Sequence, residues 1–295
     1  MPTSDSASRS AYSAMGNNRH DYDATCTVSE EWGMYGLHCH DFYELYIHFQ
    51  GAKHYCVDNK VYPIDANHLM VIPPFRMHGL IGDQVLENYD RCFLYISPGM
   101  LKSCGAQQLD LEAFITQHIQ RGLYQFRMTD TEAQHCRRLL DELQHTQDST
   151  APLTRFDNYA KVLQFMSIVC QVMSRSSEVV EPIVVNEAMQ EVLAYINRHY
   201  TSPIKLEGLA RQFGVSVSFL SHEFVKYTGR SVYDYVLHRR VLQAKELINS
   251  AMPLGEVAYQ CGFNDYSSFL RSFTKLAGMS PSAYRKSTKQ GGTSD

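Results

Sequence analysis

The sequence predicts an α+β chain. In front stands a small antiparallel β-barrel or sandwich with accessory helices. Behind it comes an all-α domain of two helix-turn-helix units joined by a long helix. Three observations carry this reading. Short runs rich in Tyr, Val, Ile and Phe, separated by turn residues, fill residues 25–97. Helical spacing takes over after Pro98. The last third of the chain contains an internal repeat. At 295 residues, two domains are expected. With 44% hydrophobic and 20% charged residues the chain is globular, which excludes a disordered or collagen-like class.

Residues 1–24 are rich in Ser, Asn, Asp and Arg and are expected to form a disordered tail; they lack the apolar core of a secretory signal. Residues 25–100 form the β domain. Its strand-like runs are Phe42–Phe49, Lys53–Val57, His68–Ile72 and Arg91–Ile96. Turn signals at Gln50-Gly51, Asp58-Asn59, Asp65-Ala66-Asn67 and Pro73-Pro74 separate them. Residues 101–175 form a helical layer, with helices expected over 99–120, 129–146 and 155–174. In the last, Phe156, Tyr159, Val162, Leu163, Phe165, Met166, Val169, Cys170 and Met173 make an apolar face wider than one stripe. That face suits packing on the β domain, a homodimer interface, or both. Gln164, Ser167 and Gln171 interrupt it, which argues against a membrane span. Ser174 to Pro182 is polar and ends in Pro, and residues 176–186 read as the interdomain linker. Residues 187–288 read as the helical back domain and 289–295 as a tail.

The net charge of −4 is uneven: residues 1–185 carry −8 and residues 186–295 carry +4. A basic back half suggests an anionic partner there. The eight cysteines are scattered, with no CxxC pair, and read as single buried thiols in a reducing cytosol.

In the repeat, Leu209-Ala210-x3-Gly214-Val215-Ser216 recurs as Val257-Ala258-x3-Gly262-Phe263-Asn264. One inserted residue later, Leu220 matches Phe269, Phe224 matches Phe273, Lys226 matches Lys275 and Gly229 matches Gly278. Ser231 matches Ser280, and Tyr235 matches Tyr284. Each copy, about 206–227 and 254–277, has the physics of a helix-turn-helix. The Ala lets the second helix approach the first. The Gly four residues on permits a tight exit turn. Ser216 or Asn264 is expected to cap the next helix. Apolar residues four apart pin that helix inward and leave its other face for a partner. Between the copies, Ser231–Asn249 reads as one helix of roughly 28 Å at 1.5 Å per residue. It would hold two recognition helices at a spacing suited to successive major grooves, near ~34 Å.

Leu206-Glu207-x-Leu209-Ala210, Thr228-Gly229, Arg240-x3-Ala244-x2-Leu247-Ile248, Val257-Ala258-x2-Cys261-Gly262-Phe263-x-Asp265 and Gly278-Met279-Ser280-Pro281-x2-Tyr284-Arg285 resemble the DNA-binding domain of the AraC/XylS family of bacterial transcription regulators. The resemblance covers roughly 187–287. It implies sequence-specific binding of double-stranded DNA, an activator role and contact with RNA polymerase. Carried over by position, the reading residues are Ser218, Phe219, Ser221 and His222 in the first unit, and Tyr266, Ser267, Leu270 and Arg271 in the second. Arg271 can fork onto guanine, and Phe219 and Leu270 can touch a thymine methyl. Lys226 and Lys275, at helix ends, suit phosphate. Two positions depart from the family: His222 stands where Arg is frequent, and Lys205 stands where a small capping residue is usual.

In the front half His38, His40, Phe42, Glu44, Tyr46 and His48 share parity, so a single strand over 37–49 would line one face with them. His38-x-His40-x3-Glu44-x6-Gly51 with Pro73-Pro74-x3-His78 resembles the cupin metal motif. It departs at Phe75, where the motif has Gly, and at Asn67-His68, where it has Gly-Asp. The resemblance implies a cupin-like barrel. Three uses of the cluster stay open: a pocket for a small polar effector lined by His38, His40, Glu44, Tyr46 and His78; a satisfied polar core; or a metal site of His38, His40, Glu44 and His78. Tyr43, Tyr46, Tyr55, Tyr62 and Trp32 would suit stacking on a sugar ring.

The expected protein is a cytoplasmic, homodimeric DNA-binding activator responding to a small polar effector such as a carbohydrate, with no cofactor and no membrane partner. The alternative is a metal-dependent cupin enzyme or a metal sensor. No Ser/His/Asp arrangement, P-loop or dinucleotide fingerprint supports an enzyme.

Overall fold

A computed structural model describes residues 21–33, 37–81, 85–105, 108–176, 180–248, 250 and 252–290. The expected tail is shorter than 24 residues, because strand β1 starts at Tyr22; residues 1–20 lie outside the described residues.

Among the described residues eight strands build the front domain: β1 (Tyr22–Gly33), β2 (Tyr43–Gln50), β3 (His54–Val57), β4 (Lys60–Pro63), β5 (His68–Ile72), β6 (His78–Leu80), β7 (Val85–Ile96) and β8 (Gln125–Arg127). They form a five-stranded sheet, β1-β7-β2-β5-β8, and a three-stranded sheet, β4-β3-β6, both antiparallel. Among the described residues the two sheets are not hydrogen-bonded into one closed barrel, and the architecture is compatible with a cupin-like domain. Strand β2 is buried on both faces from Tyr43 to His48, with Glu44 and His48 interrupting its apolar and aromatic residues. Its Tyr43, Leu45 and Ile47 pack under the helical layer, and Tyr46 packs between the sheets. Residues 37–49 are not one strand, since β2 begins at Tyr43 and 37–41 runs ahead of it, joined to β6 by an isolated bridge from His38 to His78.

Register explains one departure. Cys26 lies directly opposite Cys92 in the β1–β7 ladder, and the two form a disulfide rather than single thiols. They are 66 residues apart in sequence, so no local spacing announces the pair. The other six cysteines are thiols, five buried and Cys170 half-buried.

The helical layer holds α1 (Pro98–Cys104), α2 (Leu111–Gln120), α3 (Asp130–Thr146) and α4 (Pro152–Arg175). The single helix expected over 99–120 is two helices. Asp110 restarts the chain by accepting from the Ala113 N–H at 2.9 Å. The wide apolar face of α4 is largely used inside the front domain, against α3, α1 and β8: Val162, Phe165, Met166, Val169 and Met173 are buried in the front core. Leu153 and Phe156 at its N-terminal end remain 84% and 72% exposed.

The back domain comprises α5 (Glu187–His199), α6 (Leu206–Gln212), α7 (Val217–Thr228), α8 (Val232–Ile248), α9 (Leu254–Gln260), α10 (Tyr266–Ala277) and α11 (Pro281–Gln290). The expected linker is partly built in, because Ile183 donates its N–H to Val61 O at 2.7 Å. A single apolar core joins Leu37, Cys39, Cys56, Val61, Met77 and Ile81 of the front domain to Leu193, Leu209, Leu220, Phe224 and Tyr235 of the back domain. A separate core holds the second unit, with Val241, Ala244 and Ile248 of α8 against Phe269, Phe273 and Tyr284.

Candidate functional site

Each helix-turn-helix is set by local chemistry. Gly214 and Gly262 take φ of 66° and 85°, the left-handed exit turn that favours glycine. Ser216 caps α7, its Oγ accepting from the Phe219 N–H at 3.1 Å. The expected cap Asn264 is displaced by its neighbour: Asp265 accepts from the Ser268 N–H at 2.7 Å and starts α10. Lys205 gives α6 no side-chain cap. Gly229 and Gly278 end α7 and α10, both in the left-handed conformation.

Leu220 and Phe224 of α7, and Phe269 and Phe273 of α10, are fully buried. The opposite faces are open. Ser218, Phe219, His222 and Lys226 of α7 are exposed and Ser221 is half-buried. Tyr266, Ser267, Leu270, Arg271 and Lys275 of α10 are all exposed. Val217 and Val225 also stand out on α7 at 39% and 44%, apolar positions that the repeat alignment did not single out. Arg271 rests on Ser268 Oγ at 3.1 Å, an exposed and readily exchanged bond. These faces offer cations for phosphate, a guanidinium for guanine and apolar groups for thymine methyls.

In the front domain His38, His40, Glu44 and His78 converge, their potential ligand atoms all within 4.8 Å of one another. His40 Nε2 and His78 Nε2 lie 3.0 and 2.9 Å from Glu44 Oε2, and His38 Nε2 lies 4.0 Å away. Burial would raise the Glu44 carboxyl, but the His78 and His40 imidazoles beside it hold it well below the usual carboxylate range. Burial pushes the His40 imidazole down. The donor set fits a divalent transition metal: imidazole nitrogens and one carboxylate, with donors at bonds of about 2.1 Å standing roughly 3.4 Å apart in a tetrahedral site.

Tyr46 does not join the four. Its hydroxyl pairs with His48 Nδ1 at 3.1 Å and with the Tyr89 hydroxyl at 3.0 Å. Tyr55 stands in its place, donating to Glu44 Oε1 at 3.3 Å. Strand parity alone could not find that bond, because Tyr55 comes from the other sheet. Tyr43, Tyr46, Tyr55 and Tyr62 are at most 3% exposed, so their rings are packed in the cores and offer no open stacking face. The Trp32 side chain lies outside the described residues.

Sequence reasoning also missed where the two domains touch. Asp41 Oδ2 accepts from Lys245 Nζ at 3.1 Å and from the Tyr284 hydroxyl at 2.8 Å. Asp58 lies 3.6 Å from Arg239. Only an acidic front and a basic back hinted at such pairs.

A helix-turn-helix domain model matches residues 209–287, and an AraC-like ligand binding domain model matches residues 28–156. The HTH-type transcriptional activator RhaR of Escherichia coli K12 is 25% identical over 263 residues, covering 87% of this chain and 89% of RhaR. The uncharacterized HTH-type transcriptional regulator YdiP of the same strain is 35% identical over 102 residues, 34% of each chain, so this chain matches about a third of the length of YdiP. Among solved structures, the DNA-binding domain of AdpA in complex with a target DNA is 29% identical, covering 36% of this chain and 96% of that one, with a TM-score of 0.34. ToxT from Vibrio cholerae is 14% identical, covering 90% of this chain and 98% of that one, with a TM-score of 0.36.

Proposed function

Because the chain belongs to the AraC family of transcription regulators, we propose that it activates transcription from specific operators under the control of a small effector held by its front domain. The observation that carries this is the duplicated helix-turn-helix. Two recognition helices, each pinned by a buried pair of apolar residues, turn Ser218, His222, Ser267 and Arg271 outward. These positions read base edges, while Lys226 and Lys275 hold phosphates. A homodimer places four such helices on a promoter beside RNA polymerase, and the exposed Leu153 and Phe156 of α4 supply apolar area for pairing. The work is binding, in the cytoplasm, and not catalysis. Selection of bound sequences from a random duplex pool, followed by footprinting, tests the reading. Two protected major-groove patches on one DNA face per chain are expected; uniform, sequence-independent protection refutes it.

A further inference from the structure

Residues 37–41 make contacts on alternate sides. On one side the backbone N–H of Leu37 donates to Thr228 O at 2.8 Å, and its carbonyl accepts from Arg230 Nε at 2.6 Å. Asp41, at the other end, holds Lys245 of α8 and Tyr284 of α11. Thr228 ends the first recognition helix, and the Tyr284 ring packs 5.7 Å from Phe273 of the second. Five residues therefore touch both DNA-reading units. On the other side His38 exchanges backbone hydrogen bonds with His78 at 2.9 and 2.8 Å, and both His38 and His40 send imidazoles into the cluster around Glu44.

A neutral imidazole has one N–H. His40 Nδ1 lies 3.0 Å from Phe42 O, and His78 Nδ1 lies 2.8 Å from Arg76 O. Carbonyl oxygens only accept, so both protons belong on Nδ1. Both Nε2 lone pairs then point at the Glu44 carboxylate, acceptor against acceptor, at 3.0 and 2.9 Å. Two buried imidazolium ions would satisfy the arrangement, at a large desolvation cost. One divalent cation satisfies it without any added proton. A backbone acceptor on the far nitrogen of each ring is also the orientation that a ligating histidine requires. Three nitrogens and one carboxylate suit zinc, cobalt or nickel better than magnesium or calcium. His38, with 30% of its side chain exposed, leaves the cluster a route to solvent.

We propose that residues 37–41 are a two-faced strap through which a divalent transition-metal cation, held by His38, His40, Glu44 and His78, sets how the DNA-binding domain seats on the front domain. Ligation brings the Nε2 atoms and the carboxylate to a common centre, about 2.1 Å from each. The strap backbone follows its two rings, and Leu37 and Asp41 move with it. The inference rests on the regulator reading and names the effector and its route.

Linkage supplies the test: if metal at the cluster alters domain seating, loosening the seat alters metal affinity by the same factor. Untagged, chelator-stripped full-length protein is titrated with cobalt(II) alone and followed by its visible absorption. The wild type is expected to take one equivalent per chain with a strong four-coordinate band, lost in Glu44→Gln and His78→Ala. Arg230→Lys, which keeps the charge felt at His38 while removing the Nε bond to Leu37 O, and Lys245→Ala lie outside the cluster, and at least one is expected to shift cobalt affinity about fivefold or more. The second keeps the test alive if the first misfolds. A wild type without the band overturns the metal. A band with unchanged affinity in both variants overturns the strap. A chain with band and linkage that binds no DNA supports the strap and sinks the regulator reading instead.

Discussion

The backbone N–H of Phe75 donates to the carbonyl oxygen of His40 at 2.8 Å, from a left-handed conformation with φ of 65°. This is the position where the cupin motif has glycine, and the backbone still takes the glycine conformation. The ring packs on the core shared by the two domains, which offsets the strain of a bulky residue there. Phe75→Ala loses the ring and keeps the strain. Phe75→Gly loses the ring and sheds the strain. The Gly variant should therefore be the more stable of the two by about 1 kcal/mol. Urea unfolding of both measures it, and an Ala variant equal to or above Gly refutes the strain.

Gly214 and Gly262 are equivalent in the repeat but not in space. A Cβ on Gly214 meets nothing within 4 Å, whereas a Cβ on Gly262 would lie 2.2 Å from Thr201 O. Gly214→Ala should cost about 1 kcal/mol, the penalty of a positive φ alone. Gly262→Ala should cost distinctly more, because backbone must move. Equal melting points for the two variants would count against this packing.

Arg271 and Lys226 should separate specificity from affinity. Arg271→Ala is expected to weaken operator binding by about 1–3 kcal/mol and relax preference at one base pair. Lys226→Ala should weaken all sequences alike and reduce the salt slope by about one. Binding titrations across salt, on operator and scrambled duplexes, distinguish them; identical profiles for the two variants would remove the division of roles.

Glu132 closes a ring of contacts between helix ends. It caps α3 with Thr129 and pairs with Arg175 at the end of α4. The hydrogen bonds from Arg175 come first among the causes that hold its carboxyl at about 2, below the ordinary 4.5. A folded value below the unfolded one stabilises the fold above about 4.5. That stability drains away as pH falls through about 2. The pair is solvent-exposed, so the effect on stability is small. Arg175→Ala should move the Glu132 titration back toward 4.5 while Thr129 keeps it somewhat below. Carboxyl NMR titration reads this directly, and an unmoved midpoint overturns the pairing.

What the sequence showed depended on distance along the chain. The helix-turn-helix units were legible to within a residue or two because glycine turns, caps and four-residue apolar spacing are local rules. Even so, Asp265 took the capping role expected of Asn264, since its β-region backbone turns its carboxylate onto the Ser268 N–H. The histidine cluster was legible in its four members, because His38, His40 and Glu44 are neighbours and His78 follows a proline turn. Its fifth partner, Tyr55, was not, and neither were the Cys26–Cys92 bond or the Asp41 contacts. Each of these depends on which strands or domains meet. Strand β8 escaped because three residues show no periodicity.

Helix α8 makes the spacing of this protein on DNA a quantised property. Its 17 residues, about 26 Å long, are gripped at both ends: Tyr235 and Val236 in the core shared with the front domain, Ala244 and Ile248 in the second unit's core. Inserting one residue would lengthen it by about 1.5 Å, a trivial distance, but would rotate everything beyond by about 100°. On a duplex of about 10.5 base pairs per turn that is the angular width of roughly three base pairs. A lineage of such proteins can therefore change the letters it reads one side chain at a time. Single insertions or deletions within α8 give it no gradual route to a new gap between the words.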